Sequence, residues 1–286
     1  MRINGVFAVF MGCFAVTAFA QQPAAKPDSL TLLKTFQSEF VEITPGKGKF
    51  PAKFTMGSAD GPENERPPHE VTLASAFHIA KYEVPQNLYE AVMGNNPSRW
   101  KGPRNSAEFF TFADANEFCA RITKMMRAAK LIDAAEEIRL PTEAEWEYCC
   151  RAGSTTAYSF GDKATNDTDS GNKATLLSVY AWHTGNAAGN DPPIGAKQPN
   201  PWGLYDMHGY LNEFVSDAWH DSYAGAPADG RSWASDDPQA KRIVRGGSWK
   251  DRYDAHRSGF RTAVPAAVRD DAIGFRCVKA KELRTK

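Results

Sequence analysis

The chain has 286 residues, with 34 basic and 34 acidic side chains and no formal net charge. Because no stripe or run of Lys and Arg accompanies this balance, the sequence gives no support to nucleic-acid binding. Aromatic residues make up 12% of the chain, enough for a sizeable core, while 22 Gly and 18 Pro favour many turns over long elements.

The first twenty residues have the pattern of a signal peptide. A positive residue, Arg2, precedes an apolar run from Val6 to Phe19, and Ala18-Phe19-Ala20 is an A-x-A cleavage signal. We predict cleavage after Ala20 and a periplasmic or secreted protein; a lipoprotein signal ending at Cys13 is the alternative. No later apolar run is long enough to span a bilayer, so no transmembrane segment is predicted.

The next residues predict a leader and the start of one domain. Residues 21–30 are polar and rich in Pro and Ala, which is typical of a flexible segment. We assign residues 21–35 to a flexible leader and predict that residues 36–282 form a single domain. Phe36–Thr44 alternates as a strand does, and Val71–Leu73 and Phe77–Ile79 predict the arms of a strand or hairpin.

Three helices are predicted in the first half of the domain. Pro85 begins the first, which ends at Met93 before Gly94. Phe112 to about Ala129 is the longest, and Thr142 and Glu145 form a capping box that begins the third, ending near Gly153. The apolar face of the longest helix consists of Phe112, Ala115, Phe118, Cys119, Ile122 and Met126.

After Gly153 the helical pattern disappears, and only short strands such as Arg242–Arg245 interrupt turns rich in Gly, Asn, Asp, Pro and Trp. The sequence therefore predicts an α+β domain with little regular structure. Four cysteines follow the cleavage signal, and an even number in an exported chain predicts disulfides. Two long-range bridges, or one bridge and two buried thiols, both agree with this count.

Eight segments, in order, resemble the formylglycine-generating-enzyme family, also called the sulfatase-modifying-factor or FGE-sulfatase domain. They are Met56-Gly57-Ser58, His69–Leu73, Lys81–Val84, Met93–Ser98, Arg139–Tyr148, Pro199–Gly209, Arg245–Trp249 and Gly274–Cys277. They cover about residues 38–280. The resemblance implies a C-type-lectin-like fold with little regular secondary structure.

The family's chemistry depends on two cysteines that bind Cu(I) and use O2 to convert a sulfatase cysteine to formylglycine. In this chain the corresponding stretch, residues 249–261, contains no cysteine, and Asp251 and His256 stand where the thiols would be. Because Asp and His are harder ligands than thiolates, they cannot reproduce a bis-thiolate Cu(I) site. We therefore predict that the protein binds no Cu(I) and does not generate formylglycine.

The resemblance also implies a disulfide and a calcium site. The disulfide would join Cys150 to Cys277, and Cys119 with Cys149 is a second candidate pair. The calcium ligands would be the side chains of Asp206 and Glu213 and the carbonyls of Gly209 and Leu211. A tight turn that gathers carboxylates and backbone oxygens suits this hard cation; alternatively, the two acids are ordinary turn and surface residues.

The family cleft supplies the remaining candidates, which are Ser248, Trp249, Asp251, His256 and Arg257. An Arg- and Trp-lined cleft without thiols suits a peptide, an aromatic group or an acidic group. Arg257 and Arg261 are equally interpretable as structural partners of Asp270 or Asp271. Asp251 and His256 are either a metal pair or solvated loop residues.

We predict an exported family member that uses this cleft to bind a peptide or small molecule, or for altered chemistry. One alternative is a periplasmic oxidative tailoring enzyme, because some relatives without the cysteine pair take part in maturing a siderophore chromophore. The others are a pure binding module and a formylglycine-generating oxidase with cysteines placed elsewhere.

Overall fold

A computed structural model describes Met1 and residues 28–187, 191–237 and 239–281. Apart from Met1, the predicted signal peptide lies outside the described residues. The described part contains four α-helices and ten strands, and none of its helices combines the length and apolarity needed to cross a bilayer. The helices are α1 (Ser29–Ser38), α2 (Gln86–Met93), α3 (Phe112–Ala128) and α4 (Glu143–Arg151). The strands are β1 (Phe40–Ile43), β2 (Lys53–Met56), β3 (His69–Thr72), β4 (Phe77–Ala80), β5 (Glu136–Arg139), β6 (Asn212–Ala218), β7 (Arg242–Arg245), β8 (Arg261–Val264), β9 (Ile273–Gly274) and β10 (Val278–Lys281).

The strands form three sheets. One has the order β1-β4-β10-β5, the second pairs β2 with β3, and the third has the order β8-β7-β6-β9. The predicted hairpin of residues 71–79 is wrong, because β3 and β4 pair with different strands and belong to different sheets. The predicted α+β class is confirmed.

The predicted helix ends are largely confirmed. α2 ends at Met93, and the next residue, Gly94, caps it with φ 82°, a conformation that favours glycine. α4 begins with the predicted capping box: the Glu145 N–H donates to Thr142 Oγ1 at 3.1 Å, and the Thr142 N–H donates to Glu145 Oε2 at 2.9 Å. These contacts satisfy two N–H groups that a helix start otherwise leaves unpaired.

The predicted flexible leader is wrong for residues 29–35, which belong to α1. Asp28 caps this helix by accepting from the Thr31 N–H at 2.8 Å. Leu33 and Phe36 are buried in the core formed around α2 and α3. Burial of these two side chains favours a packed helix over a free leader.

A second core surrounds α4, whose Trp146 is fully buried. The indole Nε1 of Trp146 donates to Glu213 Oε2 on β6 at 2.8 Å. Arg245, the last residue of β7, is also fully buried and binds Glu143 and Glu147 of α4 at 2.9 and 2.6 Å. These contacts fix the end of β7, and hence the turn that follows it, against α4.

Candidate functional site

The turn after β7 depends on two glycines. Gly246 and Gly247 have φ values of 101° and 75°, which side-chain-bearing residues rarely adopt. A Cβ atom on Gly247 would lie 2.7 Å from the Ala255 carbonyl oxygen and 3.0 Å from the His256 ring. The pair therefore lets the turn pass directly over the segment that carries His256.

Ser248 and Asp251 form a closed hydrogen-bond network rather than a nucleophilic pair. The N–H and Oγ of Ser248 donate to Asp251 Oδ2 at 3.0 and 2.6 Å, and Asn212 Nδ2 donates to the same oxygen at 2.9 Å. The carboxylate thereby holds the turn. A nucleophilic serine must also reach its substrate, and Ser248 is only 1% exposed.

His256 is fully buried beside the same turn. Its Nδ1 donates to the Arg252 carbonyl at 3.0 Å, and its own carbonyl accepts from His208 Nδ1 at 2.8 Å. Burial lowers the pKa of His256 and favours the neutral ring. Within the described ranges, no three His, Cys, Asp or Glu side chains are grouped so that they could hold a metal ion.

Arg257 is committed to an ion pair. Both of its terminal nitrogens donate to the buried carboxylate of Glu65, at 2.6 and 2.7 Å. Arg261 is also buried and binds both oxygens of Glu143, at 2.8 and 2.9 Å. The structural interpretation of both arginines is therefore supported, although the partners are not the predicted Asp270 and Asp271, which pair with Lys250.

Trp249 forms a rim with a residue that sequence reasoning missed, Trp100. The two rings meet edge to face with centroids 6.4 Å apart. Both indole N–H groups donate to Asp271, Trp100 to Oδ2 at 3.3 Å and Trp249 to the carbonyl at 3.1 Å. Trp100 is 51% exposed, so the rim offers aromatic surface to a ligand. A tryptophan in a polar loop was the only sequence signal for it.

Glu108 lies behind this rim and was also missed. Its Oε1 accepts from the backbone N–H groups of Arg99 and Trp100, whereas the buried Oε2 has no hydrogen-bond partner in the described residues. Burial raises the pKa of Glu108 to about 7, although the two backbone donors lower it. Because strongly perturbed carboxyl groups are common at functional sites, this raised pKa makes Glu108 a candidate functional residue.

The carboxylates of the predicted calcium ligands Asp206 and Glu213 interact electrostatically but have different hydrogen-bond partners. Both oxygens of Glu213 accept from Arg276, at 2.6 and 2.7 Å. Asp206 accepts from the Gly195 N–H through Oδ2, and its buried Oδ1 has no partner among the described residues. The residues thus fit calcium only in part, because Arg276 competes for Glu213, and calcium binding stays a prediction.

The segment between the two acids carries backbone strain. Asp206 and Tyr210 have φ values of 59° and 114°, and a bulky residue rarely adopts the second value. Tyr210 is held by its hydroxyl, which donates to Asp191 Oδ1 at 2.9 Å, and by its carbonyl, which accepts from the Trp249 N–H at 2.9 Å. This contact joins the predicted calcium turn directly to the rim.

The predicted Cys150–Cys277 disulfide is absent, and all four described cysteines are free and buried. Cys150 belongs to the core around α4, where its Sγ contacts Ser258 Oγ at 3.7 Å. Cys277 belongs to the other core and interacts with Cys119. The structure therefore gives no support to the predicted Cys150–Cys277 pairing, because the two residues lie in different packing clusters; the Cys119–Cys149 pairing is likewise not formed.

Comparison with known proteins places this geometry in a family. The family model described as "Sulfatase-modifying factor enzyme 1-like domain" matches residues 34–281. The chain is 30% identical over 251 residues to the chaperone protein LppX of Paenibacillus barcinonensis, covering 74% of this chain and 82% of the relative. It is 28% identical to the formylglycine-generating enzyme of Mycobacterium tuberculosis, but the match spans only 49% of this chain and 50% of that enzyme.

Solved structures agree with this assignment. PvdO from Pseudomonas aeruginosa superimposes with a TM-score of 0.70 at 29% identity, covering 84% of this chain and 93% of that one. The Treponema denticola variable protein 1 gives a TM-score of 0.68 at 25% identity, covering 85% and 95%. The resemblance predicted from the sequence segments is confirmed, and the chain belongs to the sulfatase-modifying factor enzyme 1-like domain family.

Proposed function

We propose that the protein uses the cleft at the Gly246–Trp249 turn to bind a peptide or an aromatic small molecule, and that it does not generate formylglycine. The observation that carries the proposal is the absence of cysteine from residues 249–261. At the two corresponding positions, Asp251 is bound by Ser248 and Asn212, and His256 is buried. This donor set does not fit Cu(I), which favours soft thiolates.

The cysteines elsewhere give no substitute for the missing pair. All four described cysteines are at most 4% exposed. Burial raises the pKa of the Cys150 thiol to about 12 and the pKa values of the Cys149 and Cys277 thiols well above their usual range. Because the thiolate is the metal ligand, these buried neutral thiols support the loss of copper chemistry.

The rim favours an aromatic or peptide ligand over an acidic one. Arg257 and Arg261 are engaged by Glu65 and Glu143, and Lys250 is paired with two aspartates. The accessible aromatic surface is that of Trp100 and Trp249, whose indole N–H groups are fixed by Asp271. Fixed aromatic side chains lose little conformational entropy when a ligand packs on them.

The test uses a Cys-x-Pro-x-Arg peptide and the matched Ser-x-Pro-x-Arg peptide. With Cu(I) and O2 supplied, mass spectrometry is expected to find the cysteine peptide unconverted. Both peptides are expected to change the Trp fluorescence equally, and Trp100→Ala is expected to weaken that response. Leu30→Ala, an exposed residue on α1, is the control. Conversion of the cysteine peptide would overturn the proposal, and an unchanged response in Trp100→Ala would remove the rim from it.

The properties of Glu108 favour a second candidate function, that of an oxidative tailoring enzyme whose substrate binds in the same cleft. An oxidation that removes hydrogen from a bound ligand needs a proton acceptor, and Glu108 has a buried, unpartnered oxygen and a pKa near neutrality. Such an enzyme would consume O2 with its substrate, with a rate that rises through pH 7 and falls in Glu108→Gln. A binding module would show neither effect. Export remains a prediction from the N-terminal pattern for both candidates.

A further inference from the structure

A cavity lies where β6 leaves its sheet, and it shares no residue with the Gly246–Trp249 turn. Its volume is ≈ 390 Å³, which lies within the usual range of small-ligand sites. Two backbone contacts close its base: the Ala218 N–H donates to the Trp233 carbonyl at 3.0 Å, and the Trp219 N–H donates to the Lys241 carbonyl at 2.9 Å. The lining residues are Trp219, His220, Asp221, Ser222, Ala224 and Trp233.

The aromatic side chains of this cavity are held in place. The rings of His220 and Trp233 stack with centroids 3.6 Å apart and planes 4° from parallel. The indole of Trp219 donates to Asp221 Oδ1 at 2.7 Å, and the guanidinium of Arg261 lies 4.6 Å from the ring centroid. Because these rings are partly exposed yet already fixed, a ligand that packs on them meets a preorganised surface.

The polar atoms around these rings are mainly acceptors. His220 Nδ1 lies 3.1 Å from the Ala218 carbonyl, which can only accept, so this nitrogen carries the hydrogen and the neutral ring presents Nε2 as an acceptor. Asp221 is exposed, and its Oδ1 accepts from the Trp219 indole. Ser222 Oγ accepts from the Ala224 N–H at 3.3 Å, which leaves its own hydroxyl hydrogen to donate.

We propose that the cavity formed by Trp219, His220, Asp221 and Trp233 binds a neutral saccharide. A sugar presents C–H groups on one face, which pack on an aromatic ring, and hydroxyl donors at its edge, which match the carboxylate and imidazole acceptors. An organic cation would also suit Trp219 and Asp221. The Trp219 ring already makes a cation–π contact with the Arg261 guanidinium, however, which favours a neutral sugar over a second cation on this ring.

The experiment titrates the intact protein with methyl glycosides of glucose, galactose, mannose and N-acetylglucosamine. The indole N–H signals of Trp219 and Trp233 are followed by NMR, and the signal of Trp182, which is partly exposed and lies outside both proposed sites, reports non-specific effects. Saturable shifts confined to Trp219 and Trp233 with at least one glycoside are expected. Tetramethylammonium and methylguanidinium are titrated in parallel.

Two variants separate the polar contacts from the aromatic surface. Asp221→Asn removes the charged acceptor, and His220→Phe keeps the ring stack but removes Nε2; each is expected to weaken binding roughly tenfold, the effect of losing one hydrogen bond to a charged or strongly polar group. Asp229→Asn, an exposed acid outside the cavity, is the matched control and is expected to bind as the parent does. Thermal melts verify that each variant is folded.

Three results would overturn the saccharide assignment. They are shifts with the cations but with no glycoside, equal shifts at Trp182, and unchanged binding in both cavity variants. Failure of this test leaves the peptide experiments at the Gly246–Trp249 turn unaffected, because the two sites share no residue.

Discussion

Replacement of Arg245 by methionine should destabilise the whole domain. The guanidinium is fully buried and donates to Glu143, Glu147 and the Ser258 carbonyl at 2.9, 2.6 and 2.6 Å. Removing one partner of a buried ion pair typically costs about 3–5 kcal/mol, because the remaining charge loses its compensation. In the variant, Glu143 keeps its ion pair with Arg261, and Glu147 keeps its ion pair with Arg151. We therefore expect a loss of stability at the lower end of this range, about 3 kcal/mol.

Denaturant unfolding and thermal melts measure this change. For a domain of this size, 3 kcal/mol corresponds to a fall in Tm of roughly 6–12 °C. Arg245→Lys keeps the charge but cannot reach both carboxylates at once, and should lose about half as much. Arg231→Met removes an exposed arginine and should change the free energy of unfolding by less than about 0.5 kcal/mol. A loss below about 1 kcal/mol in Arg245→Met would refute the reasoning.

Three further predictions concern the backbone, acid stability and calcium. Gly209→Ala should destabilise by about 2–4 kcal/mol in urea unfolding, because φ is 134° and a Cβ would lie 2.4 Å from the His256 ring; parent-like stability would contradict the contact. Burial raises the pKa of Asp217 to about 6, above its unfolded value, so its contribution to stability is lost as pH rises from about 4 to 6. Asp217→Asn should flatten that part of the stability–pH curve, and superimposable curves would show that the group does not titrate there. If calcium binds, chelation should lower the Tm of the parent but not of Asp206→Asn, and identical melts with calcium and with chelator would remove the site.

Local features were the most predictable part of the fold. Two examples are the capping box of Thr142 and Glu145 and the left-handed C-cap at Gly94. Each involves residues only a few positions apart, so it can be recognised from the sequence. The hairpin prediction for residues 71–79 failed because strand pairing is decided by distant segments. β3 pairs with β2, whereas β4 pairs with β1 and β10.

The candidate site also combines local features that the sequence predicts with long-range contacts that it does not. The missing thiols and the Gly246–Gly247 turn could be found from sequence, because they depend on residue identity within one short segment. The ion pair of Arg257 could not be predicted from sequence, because its partner Glu65 is 192 residues away. Glu108 was also missed, because only burial distinguishes this carboxyl group from the many exposed acids of the chain.

The position of β10 has a consequence for how the chain assembles. This strand is formed by residues 278–281, yet it lies inside a sheet, between β4 and β5. During synthesis those two strands leave the ribosome long before the segment that separates them. Until it arrives, each presents an unpaired edge, and premature pairing of the two edges would produce a sheet that must reopen. Completion of the sheet should therefore be a late folding event, and truncation before Val278 should leave the chain prone to aggregation.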